Sequence, residues 1–198
     1  MSEAISHCWR IGVTASTGLA VALLLAGCGS LYKVKPAAEA PIKGAAAGAR
    51  AGEIVVRAVP LLSDEESQEL FEANLPLAGL LPVRLEISNS GSTAVELKRA
   101  RFRLRDDQGR EWKVRSAKQA VSRILEANDI SLYNPQARAN FEEAFRAHAL
   151  DTLTPLAPAE RRQGLIFFQT PKKEPLESPQ NLVLTIERLP QPIELPLD

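Results

Sequence analysis

The stretch PVRLEISN, Pro82–Asn89, alternates strictly: Val83, Leu85 and Ile87 fall on one side of an extended chain, and Arg84, Glu86 and Ser88 on the other. A period of two with one apolar face describes a half-buried β-strand, not a helix. Asn89, Ser90 and Gly91 follow and predict a turn. Downstream, Val95 and Leu97 keep the odd-numbered phase, whereas Phe102 and Leu104 are even-numbered, so the register slips between Lys98 and Ala100. A bend or β-bulge there reconciles the two halves. DDQG, Asp106–Gly109, predicts the next tight turn, and Trp112 with Val114 continues the alternation. GLIFFQTP (Gly164–Pro171), NLVLTIERL (Asn181–Leu189) and the terminal PIELPL predict further strands, with prolines confining their flanks to edges and turns.

Helical segments interrupt this meander. Ser116 and Gln119 form a capping-box pair, and Ala117, Val121, Ile124 and Leu125 follow at helical spacing up to Asn128 and Asp129. Asn134 is a cap, Pro135 suits the first helical position, and Phe141, Phe145 and His148 share one face at i, i+4 and i+7. Ser63 with Glu66 marks a short helix running towards Phe71. About seven short strands without βαβ alternation predict a mainly β fold: an antiparallel β-sandwich carrying two or three short helical insertions, the principal one spanning 116–150. A sandwich does not need that insertion to be complete. Val121, Leu125, Phe141 and Phe145 are therefore candidates for a surface offered to a partner, or else both helices cap one open end of the sandwich.

Upstream of the domain the chain changes character. Arg10 precedes an apolar run, Ile11–Ala26, which is too short for the ~20 residues of a membrane span and lacks a basic stop-transfer flank. It ends in LAGC, Leu25, Ala26, Gly27 and Cys28, which resembles the lipobox of bacterial lipoproteins. That resemblance implies a signal peptide over 1–27, cleavage before Cys28, diacylglyceryl transfer to its thiol and acylation of the new amino group. Three acyl chains at roughly 0.8 kcal/mol per buried methylene hold a protein on a membrane nearly permanently. Gly29, in place of an aspartate after the cysteine, implies the outer membrane by the family's sorting rule, with the plasma membrane as the alternative. Residues 28–52, rich in Ala, Gly, Pro and Lys, predict a flexible tether spanning on the order of 25–30 Å. The sandwich domain then occupies 53–198.

The strand and turn segments LPVRLEISNSGSTAVELKRARFRLRDDQGREW (Leu81–Trp112), LAPAERRQGLIFFQTP (Leu156–Pro171) and NLVLTIERL resemble the immunoglobulin-like domains of bacterial surface proteins and lipoproteins. LFEANLPLAGLLPVRLEISN, Leu70–Asn89, is similar to a set of uncharacterised envelope lipoproteins. Together these imply an immunoglobulin-like sandwich in an envelope lipoprotein.

The chemistry of the side chains is sparse. Processing at Cys28 removes Cys8 and commits Cys28 to lipid, leaving no thiol for a disulfide, a thiolate catalyst or a cysteine-bound metal. It also removes one acid, Glu3, and one base, Arg10, so the net charge stays at zero and nothing draws the chain to nucleic acid. The basic run ELKRARFRLR, Glu96–Arg105, alternates with Leu97, Phe102 and Leu104 and reads as the solvated face of a strand. His148 is the remaining histidine and reads as packed or capping. Glu142 and Glu143, with Arg146 nearby, and Glu65 and Glu66 in a first helical turn read as structural. Neither a calcium-like acidic loop, a Gly-x-Ser-x-Gly elbow nor a phosphate loop occurs. No metal, cofactor or catalytic residue is therefore expected. The expected function is a non-catalytic, membrane-anchored module presenting its sandwich to another envelope component. The alternative is a periplasmic carboxylate-dependent hydrolase or small-ligand-binding protein using Asp107 or Glu142, with Trp112 and Tyr133 as its sugar-binding rings.

Overall fold

A computed structural model describes residues 34–35, 42, 46–131 and 134–197. In chain order the elements are β1 (Ala47–Ala51), β2 (Ile54–Pro60), α1 (Asp64–Phe71), β3 (Leu80–Asn89), β4 (Arg101–Arg105), β5 (Glu111–Arg115), α2 (Ala117–Ala127), α3 (Pro135–Arg146), β6 (Arg161–Gln169), β7 (Leu182–Glu187) and β8 (Ile193–Leu197). All strand pairs are antiparallel, in the order β1-β2-β3-β6-β5-β4-β7-β8. The pairing of β4 with β5 is brief, Leu104 with Trp112 and Arg105 with Glu111, and there the sheet folds over into two leaves. At the other side β1 packs against β8. The seven strands from β2 onward therefore place β2-β3-β6-β5 opposite β4-β7-β8, the connectivity of an immunoglobulin constant-type sandwich, with β1 as an added strand.

The period-two pattern explains this arrangement. Val83, Leu85 and Ile87 of β3 meet Val56, Ile166 and Phe168 from their own leaf and Leu104, Leu184, Ile186 and Leu195 from the other, in one dry core. The slip between Lys98 and Ala100 is real but is not a bulge within a strand. Val95 makes a single bridge to Leu156, and a turn closed by Ala100 N–H to Leu97 O (2.9 Å) resets the phase before β4.

The helices do not cap an open end. They lie on the outer face of the β2-β3-β6-β5 leaf, where Leu80 from β3 and Leu165 and Phe167 from β6 join Phe71, Val121, Ile124, Leu125, Phe141 and Phe145 in a second core. Each helix starts as its sequence predicts: Ser63 and Ser116 complete capping boxes with Glu66 and Gln119, and Asn134 accepts from the Gln136 and Ala137 amides ahead of Pro135. After α3 the chain returns as a short parallel partner of β6, with Leu150 N–H donating to Leu165 O at 3.0 Å. That crossing passes directly over Gly164, where a Cβ would overlap the Leu150 backbone.

One predicted boundary is wrong. The tether assigned to 28–52 ends early, because Ala47–Ala51 is strand β1 and turns into β2 through Gly52 at φ 61°. Ala47, Ala49 and Ala51 face the core, so alanines read as tether composition are the small inward residues of a strand.

The second core is aromatic. The Phe71 and Phe145 ring centroids lie 4.4 Å apart, Phe145 and Phe167 4.7 Å, and Phe141 and Phe145 5.9 Å. Phe145→Ala removes the ring common to all three pairs and is expected to cost about 3–5 kcal/mol in chemical denaturation, in a single transition. A cost below about 1 kcal/mol would mean that the helical layer is not part of the cooperative unit.

Candidate functional site

At one end of the sandwich the β4–β5 turn faces the loop from Thr170 to Gln180 across a cleft of about 430 Å³. The volume is within the range of small-molecule sites, so the state of its polar groups decides what it can do. Asp106 is buried, and its carboxylate is saturated. Oδ1 accepts from the Gln108 amide (3.1 Å) and the Arg110 amide (2.9 Å), while Oδ2 accepts from Arg110 Nε (2.8 Å) and Trp112 Nε1 (3.1 Å). Burial pushes this carboxyl up, but the donors from Trp112 and from the Arg110 backbone and guanidinium outweigh it and hold the group below its ordinary value of 3.8. A carboxylate whose two oxygens already accept four hydrogen bonds has no lone pair to spare for a substrate proton. Asp107, next in the turn, is exposed.

The opposite wall is braced in the same way. Thr170 Oγ1 donates to the Glu174 carbonyl (2.7 Å), and the Lys172 amide to Glu174 Oε2 (2.7 Å). Glu174 Oε1 faces Arg110 Nη1 at 3.8 Å. Gly79, at φ 66°, sits so close beneath this loop that a Cβ would overlap the Glu174 carbonyl oxygen. Arg123 of α2 donates from Nε to Ala78 O (3.0 Å) and from Nη2 to Lys173 O (2.9 Å), tying the helical layer to the same loop. The chemistry of this end is the fastening of one turn and one loop.

The other sequence candidates are also committed. Val121 and Phe145 are fully buried, and Leu125 and Phe141 are 5% exposed, so the predicted partner surface is instead the interior of the helical layer. The amphipathic stripe was legible, but its cover is the outer face of β3 and β6, which the alternation of PVRLEISN presents as polar. Glu142 pairs with Arg138 (2.9 Å), which also donates to Ser122 (2.8 Å) and so joins α3 to α2. Glu143 pairs with Arg146, and Glu66 is spent in its capping box. Trp112 is 4% exposed, leaving no ring face for a sugar. His148 packs edge-on to Phe71 and bonds through Nε2 to Lys35 O at 2.6 Å. Burial holds its pKa below the ordinary value, the bond to Lys35 works against that, and the Arg84 charge adds to the lowering. Of the basic run, only Arg101–Arg105 is strand, β4, and 96–100 is loop and turn; on β4 Arg103 lies between Glu111 (3.7 Å) and Glu187 (3.5 Å). Tyr133, the segment 1–27 expected to be a signal peptide, and the LAGC motif with Cys28 lie outside the described residues.

Several structural fasteners had no sequence signal. Arg162 donates to three carbonyls, of Asp151 (3.0 Å), Thr154 (2.6 Å) and Pro155 (3.0 Å), and pairs with Glu160, fixing the loop before β6. Glu86, predicted to face solvent on β3, is 6% exposed, bonded to Gln163 and flanked by Arg161 (3.3 Å) and Arg57 (3.9 Å). Among the described residues no group of three or more His, Cys, Asp or Glu is arranged to hold a metal ion, and no helix is long and apolar enough to cross a membrane.

Asp106→Asn removes the charge but keeps the shape, and is expected to cost about 1–3 kcal/mol at neutral pH. Because the folded-state pKa is lowered, the wild-type contribution is present in full above the unfolded value and is lost as pH falls through the folded one. Denaturation curves from about pH 5 to about pH 2 should therefore show a steeper acid loss for wild type than for D106N. Parallel curves would mean that the carboxylate is not engaged.

Comparison with known proteins finds no family model, no curated protein and no solved structure that matches this chain.

Proposed function

We propose that this protein is a membrane-anchored, non-catalytic lipoprotein of the bacterial cell envelope, held by lipid on Cys28 and presenting its β-sandwich to another envelope component. The observation that carries the reading is LAGC, placed at the end of an apolar run and followed within twenty residues by a folded domain. Of the two carboxylates of the alternative, a hydrolase, Glu142 is ion-paired with Arg138 and Asp107 is an exposed turn residue beside the fully bonded Asp106, which favours the binding role. With Val121, Leu125, Phe141 and Phe145 committed to the interior, the partner-facing surface is the leaf β4-β7-β8, none of whose residues belongs to the helical core. Gly29 after the cysteine points to the outer membrane, with the plasma membrane as the other destination. The identity of the partner waits on crosslinking from that leaf.

Lipidation is tested by expressing the full chain in a diderm bacterium fed an alkyne-bearing fatty acid. The wild type should carry the label, sediment with membranes and begin at Cys28 by mass spectrometry. Cys28→Ala should be unlabelled and retain the signal peptide. Equal labelling of both proteins, or an unmodified Cys28 in the wild type, would overturn the proposal.

A further inference from the structure

Three described residues ahead of β1, Val34, Lys35 and Ile42, are held by the domain. Lys35 is fastened at three points: its amide donates to Leu70 O (2.9 Å), its carbonyl accepts from His148 Nε2 (2.6 Å), and its ammonium pairs with Glu69 (3.1 Å). Val34 packs against the helical core, and Ile42 is 4% exposed. The ion pair is exposed on both sides and contributes little, so the two main-chain bonds and the burial of Val34 and Ile42 carry the docking. Leu70 closes α1 and His148 follows α3, so the docking site joins the ends of two helices.

We propose that this docking is a latch that sets the length of the lipid tether. The inference rests on the lipid-anchor reading of Cys28. With Val34 held, only residues 29–34 separate the acylated cysteine from the folded body, a reach of at most about 20 Å. With Val34, Lys35 and Ile42 released, the free chain runs from 29 to 46 and reaches at most about 60 Å. The same protein then has two working distances from its bilayer. The long one is available at the cost of two main-chain hydrogen bonds and two apolar side chains, which is small beside the stability of the sandwich core.

Mature, acylated protein in vesicles of phosphatidylethanolamine and phosphatidylglycerol tests this. The mature chain has no free thiol, so Glu194→Cys on exposed β8 takes a single donor dye, with acceptor lipids in the bilayer. Lys35→Pro deletes the donor to Leu70 without touching a core side chain, and Ile42→Asp expels the buried anchor. Both should lower energy transfer to the bilayer by at least about twofold as the reach grows, with the melting of the domain nearly unchanged. Hydrogen exchange, which needs no lipid, should show the Lys35 amide protected by at least about tenfold in the wild type and unprotected in I42D. Equal energy transfer in all three proteins, or a Lys35 amide exchanging at the unstructured rate, would overturn the latch. A Cys28 without lipid would overturn the tether and the anchor reading together, while the exchange result would still judge the docking itself.

Discussion

The structure depends on β3 and β6 being apolar on both faces over part of their length. Inward, Leu81, Val83, Leu85 and Ile87 of β3 close the sandwich; outward, Leu80 beside Leu165 and Phe167 of β6 is the floor on which three helices rest. A sheet with one wet face needs no helices, and a sheet with two apolar faces cannot remain without them. The inserted segment between β5 and β6 is therefore the second half of a three-layer packing and not decoration on a finished fold. Gly164 marks the constraint at one atom: the chain leaving the helices must pass so close to β6 that only a hydrogen fits.

The strands and helix starts were legible because their signals are local. Alternation in Pro82–Asn89 and the paired caps at Ser63, Ser116 and Asn134 depend on neighbours a few residues away, and each formed as read. What could not be read was which surface covers which stripe. Val121, Leu125, Phe141 and Phe145 show a stripe but not its mate, which belongs to strands on either side of the insertion. The strand at Ala47–Ala51 escaped because its inward positions are alanines, whose burial is decided by the closeness of the opposing leaf and not by hydrophobicity. Arg123, Arg162 and Glu86 escaped because a long charged side chain bonding distant carbonyls or strands leaves no spacing in the sequence.

The candidate cleft shows how shape and chemistry separate. Its volume suits a small ligand, but Asp106, Arg110 and Glu174 are bonded to one another, and the carboxylate that sequence placed in an ordinary turn is the hub of that turn, reaching across to Trp112 of the next strand. Fastening of this kind recurs in the domain: Arg110 and Arg123 bridge segments remote in the chain, and Arg162 ties the start of β6 to the loop just before it. Rigidity of the loops is what these residues supply.

The pairing of β3 with β6 has a further consequence for how the protein is made. Leu80 pairs with Gln169 and Ser88 with Arg161, so the central ladder joins segments separated by more than a third of the chain. Until β6 emerges, β3 keeps an unpaired edge, and the three helices, which all precede β6 in the chain, lack the Leu165 and Phe167 on which they rest. Closing that long loop is slow relative to hairpin formation. A chain threaded N-terminus first thus carries the open edge of β3 through the whole segment between Asn89 and Arg161, and its central ladder closes only when β6 arrives near the C-terminal end.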